Sequence, residues 1–184
     1  VVGLKDESVK NKVSISTEER FAVVDPDAKL HIEGPGDYEV AEVSIRGIRA
    51  TRHIDTSDDE PVSTIYRLEI GGVRIALVGN ISPKLSDDQL ETIGVVDVLI
   101  IPVGGNGYTL DATSAATVTR QIDPRVVIPV HFADNELEYE VTQDGVDLYV
   151  KEIAATLEEV GAKYKVKSAS SIPQVLTVIK IERS

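Results

Sequence analysis

Apolar residues recur along this chain in more than one rhythm, and each rhythm predicts a different element. Residues 38–45 alternate apolar and polar through Tyr38, Val40, Val43 and Ile45, and residues 64–70 alternate again through Ile65, Leu68 and Ile70. Such period-two patterns predict strands with one buried face. Gly71-Gly72 then joins the second run to residues 73–78, a spacing that predicts a β-hairpin. Residues 95–103 and 126–130 are almost continuously apolar, the pattern of central strands covered on both faces. Between them lie helical stretches. Residues 86–93 open on a Ser-Asp-Asp cap signal, and residues 111–122 carry small residues around Ala115, Ala116 and Val118. Residues 148–160 place Leu148, Ile153, Leu157 and Val160 near one face and stop at Gly161, which predicts a third helix. Residues 174–181 predict a last strand. Hairpins followed by strand–helix alternation make an α+β or layered α/β domain, expected as one domain over residues 1–184. Residues 55–61, with four acidic side chains, predict an exposed loop.

Composition narrows the partners more than the fold. The 184 residues suffice for a core, but only 6 Tyr and 2 Phe contribute aromatic bulk, so β-branched and other aliphatic residues must do the packing. That argues against a simple helical bundle. A net charge of −12, from 31 acidic against 19 basic residues, disfavours nucleic acid and anionic membrane as partners. The absence of cysteine excludes disulfides, thiolate zinc sites, iron–sulfur clusters and a cysteine nucleophile, and fits a reducing cytoplasm. No run approaches the roughly 18 apolar residues of a membrane span, and residues 1–10 lack the order of a signal peptide, so a soluble, cytoplasmic protein is expected. Methionine is absent and the chain opens on Val1-Val2-Gly3-Leu4 as though a core segment were entered partway, so N-terminal residues are expected to be missing.

Candidate chemistry concentrates at strand ends. Of the three histidines, His31 shares a strand face with Lys29 and Glu33 and reads as a solvated position. His53 closes a strand ahead of the acidic loop. His131 ends the run 126–130, where layered α/β folds place their sites; a histidine bonded within the core edge is the alternative. Two further strand ends carry Gly79-Asn80 and Gly104-Gly105-Asn106-Gly107. The latter reads as a tight turn or a phosphate cradle, and matches neither the Walker nor the dinucleotide spacing. There is no Gly-x-Ser-x-Gly elbow, and the pairs Asp58-Asp59 and Glu158-Glu159 read as solvated faces.

One series of segments, in unbroken order from about residue 30 to 135, resembles the metallo-β-lactamase fold superfamily, in particular its bacterial zinc-dependent hydrolases. It comprises Gly34-Pro35-Gly36-Asp37-Tyr38-Glu39-Val40, Ser44-Ile45-Arg46-Gly47-Ile48, residues 72–79, residues 96–105 and Val127-Ile128-Pro129-Val130-His131-Phe132. The resemblance implies a four-layered αββα sandwich with a metal site at the edges of its two sheets, and an N-terminal hairpin largely missing from this chain. It also implies a ligand set: a His-x-His-x-Asp-His loop, a later isolated histidine, a bridging Asp and a last histidine. By position His53 matches the isolated histidine, His131 the last, and Asn80 falls where the bridging Asp belongs. The main ligand loop falls on residues 16–21, which hold Glu18 and Glu19 but no histidine. Neutral Asn80 does not bridge two zinc ions as a carboxylate does, so the dinuclear site is expected to be lost. A single zinc or other divalent ion on His53, His131 and either Glu18 or Glu19 remains a chemically sound alternative.

Two functions follow. The first is a degenerate member with no cofactor, binding a small molecule or a protein in a pocket around His53, Gly79, Asn80, Gly104, Gly105 and His131. The second is a metal-dependent hydrolase of an ester, amide or phosphoester with an altered mononuclear site. The oligomeric state is left open.

Overall fold

A computed structural model describes residues 12–19, 22, 27–53, 62–107, 109–134 and 141–182. Its strands are β1 (Val13–Ser16), β2 (Leu30–Glu33), β3 (Gly36–Val40), β4 (Val43–Thr51), β5 (Val62–Ile70), β6 (Val73–Leu77), β7 (Val98–Pro102), β8 (Val126–Val130), β9 (Thr156–Val160) and β10 (Thr177–Ile181). Its helices are α1 (Asp87–Ile93), α2 (Ala112–Ile122) and α3 (Val146–Ile153), with a short 3-10 turn at Ala169–Ser171.

The two continuous apolar runs become β7 and β8, parallel neighbours in the middle of an eight-stranded sheet of order β3-β4-β5-β6-β7-β8-β10-β9. From β3 to β6 the pairing is antiparallel, through hairpins, and from β6 onward it is parallel. Strand alternation sends side chains to two faces. On one face, Ile48 and Ala50 of β4, Ile65 of β5, Ala76 of β6, Leu99 and Ile101 of β7 and Val127 of β8 meet the buried sides of all three helices in one core. On the other, Ile15 of β1 and Ile32 of β2 cover Ile45, Tyr66 and Leu68, while Tyr164, Val166 and Ile172 cover Val98, Val126 and Ile179. Helices, large sheet and the small parallel β1–β2 sheet are therefore successive layers of a mixed α/β sandwich. No helix among the described residues is long and apolar enough to cross a membrane.

The hairpin around Gly71-Gly72 forms as its spacing predicts, with Ile70 paired to Val73 and both glycines at positive φ. Ser86 caps α1 and its N3 Gln89 completes a capping box; Asp111 caps α2. Two readings need correction. The alternating run 38–45 is two strands, because Ala41 and Glu42 adopt φ of 47° and 68° and turn the chain so that Tyr38 lies opposite Ile45. The helix over 148–160 ends at Ile153, where Ala154 takes a left-handed cap, and β9 follows. Leu157 and Val160 suit one helix face, but three residues apart in a strand they point opposite ways: Leu157 packs with the helical core and Val160 in the core beyond the sheet. Pairing with β10 outweighs the helical pattern there. His31, read as solvated, is half-buried on β2 opposite Ser14. The acidic loop 55–61 and the N-terminal residues 1–10 lie outside the described residues.

Two consequences are measurable. Ala41 and Glu42 occupy a turn that favours Asn-Gly, so the double variant Ala41→Asn/Glu42→Gly should stabilise the fold by about 1 kcal/mol, raising Tm by roughly 3 °C in a thermal melt. Between α2 and α3, Thr119 Oγ1 and Tyr149 Oη lie 2.8 Å apart, and burial pushes the Tyr149 hydroxyl up to about 12 from 10.0. Its folded pKa is raised, so its contribution is fully present below about pH 10 and lost as pH rises to about 12. In denaturant titrations, wild-type stability should fall over that window by about 2 kcal/mol more than that of Tyr149→Phe.

Candidate functional site

The site begins with the segment leaving β1. Tyr66 Oη donates to Ser16 O at 2.9 Å, Thr64 N donates to Thr17 O at 2.7 Å and Ser63 Oγ reaches the same carbonyl at 3.2 Å. Thr17 is pressed against Gly79, where a Cβ would fall 2.4 Å from Thr17 Oγ1, so only glycine fits at the end of β6. This seating sends Glu18 inward and Glu19 outward. Glu18 is 3% exposed and its Oε2 lies 3.0 Å from Arg52 Nε, whereas Glu19 is exposed and its carbonyl accepts Ala22 N at 2.9 Å.

Arg52 continues the inward face of β4 after Ile48 and Ala50, and it pairs with Ile81 in an isolated antiparallel bridge. Next to it, His53 N donates to Asn80 O at 3.3 Å and Asn80 Nδ2 donates to His53 O at 2.8 Å. His53 is thus tied to Asn80 by its main chain, and its side chain is half-buried. Asn80 is 8% exposed, and its Oδ1 has no hydrogen-bond partner among the described residues.

The remaining positions lie beyond β7 and β8. Val103 N donates to Val130 O at 3.1 Å, carrying the parallel pairing to the strand ends. His131 follows at φ 50°, and a Cβ on Gly104 would sit 2.3 Å from both His131 O and Gln143 Oε1. Backbone therefore occupies the space that a side chain at 104 would need. Gly105 N donates to Leu110 O at 3.0 Å and Asp111 Oδ1 accepts from Ser114 N at 2.7 Å, so this glycine loop closes as a tight turn on its own groups. Burial holds the His131 imidazole below its ordinary pKa and so neutral near pH 7. Asn80 and His131 follow β6 and β8 with β7 between, two strand spacings or roughly 10 Å apart along the sheet edge.

Glu18, His53, Gly79, Asn80, Gly104, Gly105 and His131 thus line one edge of the large sheet, in two groups, and Glu19 does not join them. Among the described residues no three His, Asp, Glu or Cys side chains converge as a metal would require. Three residues were not singled out from the sequence. Arg52 had a usable signal, since it falls on the inward period of β4; Thr109 and Gln143, both buried, lie in loops where no periodicity marks the inside.

Known proteins share this architecture. A solved structure from Thermotoga maritima, named as a Zn-dependent hydrolase of the metallo-β-lactamase superfamily, aligns over 92% of this chain and 82% of its own with a TM-score of 0.67 and 23% identity. Another, named as a metal-dependent hydrolase of Parabacteroides distasonis, aligns over 92% and 75% with a TM-score of 0.58 and 16% identity. A UPF0173 metal-dependent hydrolase of Carboxydothermus hydrogenoformans is 30% identical over 67 residues, 36% of this chain; the chain spans only 29% of that curated relative. The family model described as a β-lactamase superfamily domain matches residues 9–131, well over half of the chain. The chain therefore belongs to the β-lactamase superfamily domain family.

Proposed function

We propose that this metallo-β-lactamase-fold, hydrolase-like protein has lost the dinuclear metal centre and acts as a binding protein for a small molecule or a protein segment at the edge of β6, β7 and β8. The observation that carries this reading is Asn80. It stands at the position of the bridging carboxylate, its Nδ2 is spent on His53 O, and what it offers inward is one neutral amide oxygen, buried and without a partner among the described residues. Two zinc ions bring four positive charges and need anionic bridging; an amide oxygen does not supply it. The donor set therefore does not fit the dinuclear group. An unmet buried acceptor costs about 1–3 kcal/mol, and a ligand that donates an N–H or O–H there would recover it. Gln143 Oε1 is a buried acceptor of the same kind, and the buried Thr109 hydroxyl, able to donate or accept, also lacks a partner among the described residues, which favours a ligand that brings hydrogen-bonding groups.

A second reading has one observation in its favour. His131 is held neutral by burial, the form that ligates metal, so a mononuclear hydrolase site on His53 and His131 is the competing function.

Elemental analysis of protein purified without chelator separates them. The binding reading expects no stoichiometric zinc, manganese or iron, and no shift of the thermal midpoint on adding a chelator. About one metal per chain, lost in His131→Ala, establishes the mononuclear reading instead; a bound ion at 100 times its Kd would contribute about 2.7 kcal/mol to stability.

A further inference from the structure

The loop that leaves β7 runs through Gly105-Asn106-Gly107, whose φ angles are 65°, 56° and 76° in succession. Asn106 is thereby held between two glycines in a left-handed turn, and both it and Gly107 are exposed. Neither the Asn106 side-chain amide nor Gly107 N has a hydrogen-bond partner among the described residues. We propose that Asn106-Gly107 is a self-modification site, at which the turn converts its own amide into a carboxylate and loosens the end of β7.

The chemistry needs only the chain and water. Hydroxide takes the proton of Gly107 N, the nitrogen attacks Asn106 Cγ, and a cyclic imide closes as the Cγ–Nδ2 bond breaks; Nδ2 leaves as ammonia with a proton returned from water. Water then opens the ring. Breaking the bond from nitrogen to Cγ restores the ordinary backbone with aspartate at 106, whereas breaking the bond from nitrogen to the Asn106 carbonyl carbon leaves isoaspartate, whose main chain runs through Cγ and is longer by one carbon. In sum a water is consumed and ammonia released, the new acid gives its proton to the ammonia, and no oxidation state changes.

The fold selects this asparagine. Of the four, at 11, 80, 106 and 135, only Asn106 precedes a glycine, which has no side chain to screen its nitrogen. Because both reacting groups sit in one turn, the attack is intramolecular and avoids the entropic cost of bringing them together. Asn80 is the contrast: its Nδ2 donates to His53 O at 2.8 Å, and the branched Ile81 that follows is fully buried. Conversion at 106 adds a negative charge to the −12 of the chain, at a turn that already holds two acids. Asp111 Cβ and Asp144 Oδ2 lie 3.1 and 3.3 Å from where a Cβ on Gly105 would fall. The three carboxylates repel one another, and the longer isoaspartate chain strains the closure of Gly105 N on Leu110 O. None of this requires a ligand at the sheet edge, so it goes beyond the binding reading and does not depend on it.

The test incubates folded protein in neutral and mildly alkaline buffer and follows it by isoelectric focusing, peptide mapping by mass spectrometry and thermal melts. One acidic species should accumulate, faster at the higher pH, with the change at residue 106, a fraction resistant to an aspartate-specific protease as isoaspartate is, and a lowered thermal midpoint. Asn106→Gln, which must close a larger ring, should abolish the acidic species, and Gly107→Ala should slow it severalfold. If Gly107→Ala does not fold, Asn106→Gln carries the comparison, since it leaves the glycine in place. Conversion at Asn11 or Asn135 as fast as at Asn106, or conversion of Asn106 in denaturant but not in the folded protein, overturns the proposal, and an unchanged midpoint overturns the loosening of β7.

Discussion

Two main-chain carbonyls, those of Ser16 and Thr17, bear the contact on which the rest of the candidate site depends. Both accept hydrogen bonds from β5, and the Tyr66 hydroxyl that reaches Ser16 O also accepts from Gly34 N at 2.9 Å. One buried phenol therefore joins β1, the turn between β2 and β3, and β5. Each bond is worth about 1 kcal/mol net, but the bond that is not made would strand a buried carbonyl at a larger cost. The segment after β1 consequently has one seat on the large sheet, and that seat decides which of Glu18 and Glu19 faces inward.

From that seat the edge assembles by close approach. Thr17 lies where a side chain at 79 would be, and the His131 carbonyl lies where one at 104 would be. These two glycines let the loops collapse onto the strand ends, so the edge is tightly packed at both positions. What remains polar inside is uneven. Glu18 Oε2 and Arg52 Nε meet at 3.0 Å, whereas the amide oxygens of Asn80 and Gln143 face no donor among the described residues.

Much of the architecture was legible in the residues themselves. Continuous apolar runs at 98–102 and 126–130 mark central strands because both faces are covered, and Ser86 and Asp111 mark helix starts because their side chains satisfy backbone donors that no turn of helix can reach. The family order of motifs pointed to the sandwich and to the strand ends that carry His53, Asn80 and His131. Legibility failed where two periodicities overlap. Leu157 and Val160 satisfy a helix as well as a strand, and only the presence of β10 alongside selects the strand. Val40 and Val43 stand three residues apart, a break in the alternation that marks the turn, yet neither Ala41 nor Glu42 is a residue type that announces one, and both are held at positive φ by the flanking pairs.

By itself, then, the sequence determined the element types wherever burial or capping is a local matter, together with the charge balance, the lack of thiolate chemistry and the neutral residue at position 80. Only the tertiary structure decided that Glu18 rather than Glu19 turns inward, that it meets Arg52, and that Gly79 and Gly104 are pressed by Thr17 and His131. Those are contacts between residues 27 to 62 positions apart, set by how one strand lies across another, and no local pattern of residues carries that information.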